Sequence, residues 1–147
     1  MNRSIRTLRE SERGQAVVEL ALVLPILLLI LVGIVELGRA VNNWNNDTNL
    51  ANVVARYAIV GKKPSSTACP GEQTAETFVA CEAKNEGLGS TKVCIKAPAG
   101  AKAGEPLEVK VESKYKWLSY LHFKATEATL TGHATMRLEQ VPPEVTC

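Results

Sequence analysis

From Leu20 to Val35 the chain runs for sixteen residues without a charged side chain (LALVLPILLLILVGIV). Ala16, Val17 and Val18 extend the run across Glu19, so residues 16–35 hold a single ionisable group. A helix needs about 20 mostly apolar residues to cross the ~30 Å hydrocarbon core of a bilayer. A helix on the surface of a soluble domain carries a polar face, and this run has none. The rest of a 147-residue chain is too short to wrap such a helix on every side. The segment therefore reads as membrane-spanning. Pro25 lies inside it. Proline is tolerated in membrane helices, where local adjustment satisfies the freed carbonyl.

The flanking charges orient the segment. Residues 1–14 contain Arg3, Arg6, Arg9 and Arg13 against Glu10 and Glu12, which accounts for the whole formal charge of +2. The stretch after the segment is rich in Asn. The excess of arginine predicts a cytoplasmic N-terminus and an exported remainder. Residues 15–147 have equal numbers of acidic and basic side chains, which argues against a nucleic-acid partner, since such a protein needs a basic patch or stripe. A cleavable secretory signal would carry a shorter apolar run of ~7–15 residues and a small-residue A-x-A-like site. The run here ends instead in Glu36-Leu37-Gly38-Arg39-Ala40.

The junction reads Glu12-Arg13-Gly14-Gln15-Ala16-Val17-Val18-Glu19-Leu20. A carboxylate at the edge of a spanning segment costs free energy, and something must offset it. Glu19 either reaches to the interface and pairs with Arg9 or Arg13, or it has a partner created by processing. A cut after Gly14 would make Gln15 the new N-terminus and place Glu19 fifth, with a free α-amino group to pair with it.

A short basic leader, Gly, Glu five residues on and an uninterrupted apolar helix resemble the class III signal of type IV pilins and pseudopilins. More specifically, the stretch from Gly14 through Val18-Glu19-Leu20-Ala21-Leu22-Val23-Leu24-Pro25 to Gly33-Ile34-Val35-Glu36-Leu37-Gly38-Arg39-Ala40 is similar to the N-terminus of TadE-like minor pilins of the tight-adherence (Tad/Flp) pilus system. Leu50 to Ala58 is similar to that family's A-x-x-x-A-R-Y-A stretch, and Ala134 to Glu139 to its closing strand. Two positions depart from the pattern: Leu20 stands where the family more often has an aromatic residue, and Gln15 where type IVa pilins have Phe. The resemblance implies cleavage between Gly14 and Gln15 by a prepilin peptidase and assembly through Glu19. It also implies partners among other pilin subunits and the Tad assembly machinery, and a role in building a surface pilus for adhesion. The alternative is an uncut, single-pass envelope protein whose outer domain binds a partner.

Beyond the apolar run, Leu50, Val53, Val54, Tyr57 and Val60 recur at helical spacing, which predicts an amphipathic stripe. Gly61, with Pro64 beyond it, supplies a stop. One helix is expected over residues 15–60, loosened at the Asn-rich 42–47, or else a separate second helix. Asn46-Asp47-Thr48 fits the N-glycosylation pattern, which an Asn-rich stretch produces by chance, and Trp44 suits an interfacial anchor. Residues 74–86 read as a short helix with Phe78, Val79 and Cys81 inward. Residues 91–96 read as a strand. Residues 106–120 alternate, with Leu107, Val109 and Val111 on one face, and residues 125–140 alternate likewise. The expected fold is α+β and pilin-like: a long N-terminal transmembrane helix continues into an amphipathic half that packs on a small antiparallel sheet. The expected parts are a cytoplasmic leader 1–14, a transmembrane assembly helix 15–41 and an exported α+β domain 42–147. This places the protein in the inner membrane, and the pilus reading would carry it into an extracellular filament.

Cys69, Cys81, Cys94 and Cys147 all follow the membrane segment, with no C-x-x-C pair. Zinc ligation favours close pairs, whereas an even count in an exported domain reads as two disulfides. Three pairings are open. Tyr115 to Phe123 gathers four of the seven aromatic residues. This run is a core corner, a connection resting on the membrane, or a surface for a partner subunit. His122 and His133 are the sole histidines, and no nucleophile arrangement or phosphate loop accompanies them. No enzyme, cofactor or metal is expected.

Overall fold

A computed structural model describes residues 3–71, 73–98, 101–117, 127–140 and 147, with side chains from residue 14 onward. The fold is α+β. A long helix, α1 (Arg3–Ile59), is followed by a short helix, α2 (Ala75–Asn85), and three strands, β1 (Thr91–Lys96), β2 (Pro106–Lys116) and β3 (Glu127–Arg137). The strands form one antiparallel sheet in the order β1-β2-β3. The chain divides into two compact units, Met1–Gly38 and Arg39–Cys147.

In the first unit, side chains from Val17 to Val35 are exposed almost without interruption, Leu29 at 74% and Leu22 at 69%. That exposure is untenable in water at about 25 cal/mol per Å² of apolar surface and is what a lipid-facing helix requires. The helix is long and apolar enough to cross a membrane. Pro25 is held within it.

The helix does not loosen at 42–47, nor does it break into two. The polar side chains that could have competed for the backbone find partners compatible with the helix. Thr48 Oγ1 donates to the Trp44 carbonyl at 2.9 Å, and Asn52 Nδ2 donates to the Thr48 carbonyl at 2.8 Å. Both bonds reach back four residues along the helix. Trp44 Nε1 donates to the Thr131 carbonyl of β3 at 3.1 Å. The α1 stop is a Schellman arrangement around Gly61, whose φ is 66°. Lys62 N–H donates to the Tyr57 carbonyl and Gly61 N–H to the Ala58 carbonyl. The Ile59 carbonyl accepts from the amides of Glu139 and Gln140, which fastens the helix end to the segment after β3.

Helix α2 is capped by the Thr74 hydroxyl and ends before Gly87 (φ 69°). Leu88 N–H returns to the Ala83 carbonyl at 2.8 Å, and the Leu88 side chain is buried. In β2 the inward face is Leu107, Val109, Val111, Ser113 and Tyr115. β2 is described to Lys116 and β3 from Glu127 to Arg137, where it stops short of the expected 140, and residues 118–120 and 125–126 of the two expected strands lie outside the described residues. Leu50, Ala51, Val54, Ala55 and Ala58 of α1 share one core with Phe78 and Val79 of α2, Val93 and Ile95 of β1, Leu107, Val109 and Val111 of β2, and Ala134 of β3. The stripe of α1 is built largely of alanine and valine, so the helix backbone lies close to the sheet.

The cysteines pair as Cys69–Cys81, with Cα atoms 6.1 Å apart, and Cys94–Cys147, at 5.2 Å. The first bridge ties the loop before α2 to the helix itself. The second leaves β1 on the face opposite Val93 and Ile95. Chain-entropy arithmetic gives about 3 kcal/mol for the shorter loop and about 4 kcal/mol for the longer. Replacing Cys94 and Cys147 together by alanine is therefore expected to cost more than replacing Cys69 and Cys81. Urea unfolding of the otherwise oxidised chain measures the order.

Candidate functional site

Gly14, Gln15 and Glu19 lie on one continuous helix, and all three are exposed. Gln15 and Glu19 are four residues apart, so their side chains sit one above the other on the same face. Gln15 Nε2 donates to Glu19 Oε1 at 3.2 Å. The carboxylate at the head of the apolar run thus accepts a hydrogen bond from the residue that follows Gly14. A methyl group built on Gly14 would meet no atom within 4 Å. Glycine is not needed there for packing. A glycine inside a helix costs roughly 0.5–1 kcal/mol relative to alanine, so Gly14 marks a point where the helix unwinds more readily.

The side chains of the arginine-bearing stretch 1–13 lie outside the described residues, as do residues 118–126, which hold most of the aromatic run and His122. What is described of that run is its start. Tyr115 is buried, and its ring meets Trp117 edge to face with centroids 5.0 Å apart. His133 is exposed on the outer face of β3. Among the described residues no three His, Cys, Asp or Glu side chains gather as a metal site would require.

Sequence reasoning missed one polar centre. Asp47, read as part of a polar break, is fully buried between α1 and the sheet. Its Oδ2 accepts from Ser113 Oγ at 2.6 Å, and among the described residues Oδ1 has no hydrogen-bond partner. Burial pushes its carboxyl up to about 6, against the opposing pull of the Ser113 bond. A signal was present. Counting back from Leu50 and Val54 by three and seven residues arrives at Asp47, which places it on the packing stripe. Asn46, beside it in the glycosylation pattern, is half-buried.

Residues 14–56 match the family model described as TadE-like protein. The match begins at Gly14, covers Glu19 and the apolar run, and stops three residues before the end of α1. No curated protein and no solved structure matches the chain.

Proposed function

We propose, because residues 14–56 match the TadE-like family model, that the chain serves the Tad pilus system as a minor pilin or pseudopilin. In this reading the arginines of residues 1–14 hold the leader in the cytoplasm, and the domain after the apolar helix is exported. A prepilin peptidase cuts between Gly14 and Gln15. The mature helix then packs beside those of other pilin subunits, with Glu19 pairing with an N-terminal ammonium in its own or a neighbouring chain. The protein thereby helps build or prime a thin surface pilus used in adhesion.

The observation that carries this reading is the start of the family match at Gly14, with Glu19 five residues beyond. The second reading is an uncut membrane anchor whose outer domain binds a partner. It draws on the helix running unbroken from Arg3 across Gly14, since a peptidase must open that helix to reach the bond.

Intact-mass measurement of the chain from membranes and from sheared surface material decides between them. The pilus reading expects a chain beginning at Gln15, with a share of it in the sheared fraction. A chain that still begins at Met1 and stays wholly with the membrane overturns it.

A further inference from the structure

The exported unit contains a feature that filament assembly does not use. Asp47 is wholly buried, yet among the described residues its Oδ1 has no hydrogen-bond partner, while its Oδ2 accepts from Ser113. An ionised carboxylate in such a site is poorly solvated, and the penalty falls on the contact that buries it. That contact cannot relax inward. The Gly132 α-carbon faces the Asp47–Thr48 peptide so closely that an added methyl group would overlap it. We propose that Asp47, held between Ser113 of β2 and Gly132 of β3, is a proton-operated latch that docks α1 on the sheet tightly when protonated and loosely when ionised.

The surrounding groups leave Asp47 as the proton's seat. On β2, Glu112 and Lys114 flank Ser113 but lie on the exposed face. On β3, Thr131 and His133 flank Gly132 and are likewise exposed. On α1 itself, Arg39 and Arg56 are each more than two turns away. At the C-cap of α2 stands Glu86, whose carboxyl is raised by partial burial first and then by Glu82 and Asp47.

The sign follows from the raised value. The folded form holds the Asp47 proton up to about pH 6, whereas the unfolded chain releases it near 3.8. Stability is therefore greatest in acid and is lost as pH rises through about 6. Between about pH 7.5 and about pH 5 the folding equilibrium constant is expected to rise about tenfold from this group alone.

The test uses the full, oxidised chain in detergent micelles, unfolded with urea across that pH range. Trp44 and Trp117 are the two tryptophans, so a Trp117→Phe background leaves Trp44 as the reporter. Its indole bonds to the Thr131 carbonyl and senses docking directly. The latch expects the acid-side gain in the parent, its loss in Asp47→Asn and its retention in Glu86→Gln. It also expects a move to higher pH in Ser113→Ala, because the bond that holds the carboxyl down is gone. A gain that survives Asp47→Asn, that stays in place in Ser113→Ala, or that vanishes in Glu86→Gln overturns the proposal. If Asp47→Asn does not fold, the other two variants decide by the same criteria.

Discussion

Gly132→Ala is expected to destabilise the unit Arg39–Cys147 by about 3 kcal/mol or more, at or beyond the upper end of ordinary overpacking. The methyl group would lie 2.6 Å from the Asp47 carbonyl oxygen and closer still to the Asp47 carbonyl carbon and the Thr48 nitrogen. All three atoms are backbone in the middle of a helix, so no rotamer change makes room. Either α1 lifts from the sheet or β3 bends away from it. Lifting opens the core at Leu50, Ala51 and Val54 on the same helix face. It also strains the Trp44–Thr131 and Asp47–Ser113 hydrogen bonds. Gly38→Ala is the matched control, because its methyl group meets nothing within 4 Å. That change is expected to stay within about 1 kcal/mol of the parent. Urea midpoints of the two variants, followed by tryptophan fluorescence, give the comparison.

On the proposed pilin role, Glu19→Ala is expected to abolish recovery of the chain in sheared pilus material while leaving the proposed cleavage after Gly14 intact. The carboxylate stands at the head of an otherwise uncharged segment, where burial against other apolar helices without a cation is costly. In the uncut chain the Gln15 amide supplies a neutral donor. After the proposed cut, the ammonium at residue 15 supplies a charged one, and a charge-assisted hydrogen bond is roughly twice as strong. Glu19→Gln keeps the size and removes the charge, so it separates the ion pair from simple packing and is expected to fail as Ala does. Normal filament incorporation by Glu19→Ala would remove Glu19 from the assembly mechanism, and normal incorporation by Glu19→Gln would remove the ion pair from it.

Much of the fold was legible because it depends on patterns a few residues wide. The apolar run needs nothing but its own length to announce a spanning helix. The alternation of Leu107, Val109 and Val111 sets the inward face of β2, and Thr74 with Gly87 brackets α2 by local capping chemistry alone. Gly14, Gln15 and Glu19 are contiguous along one helix, so their placement on α1 needed no distant contact.

Two things were not legible, for one physical reason. Which cysteine meets which depends on how β1 and residue 147 come together after the sheet has formed, and no spacing in the chain encodes that. The burial of Asp47 likewise depends on Ser113 and Gly132, which lie 66 and 85 residues further along. A short polar residue in an Asn-rich stretch looks solvated until a serine and a glycine on two neighbouring strands let the helix settle on top of it. The sequence by itself determined the long apolar helix and the strand faces, because local hydrophobicity and backbone chemistry suffice for those. Only the tertiary structure decided the disulfide pairing and turned one aspartate into a buried, proton-sensitive contact, because both arise from close approach between distant segments.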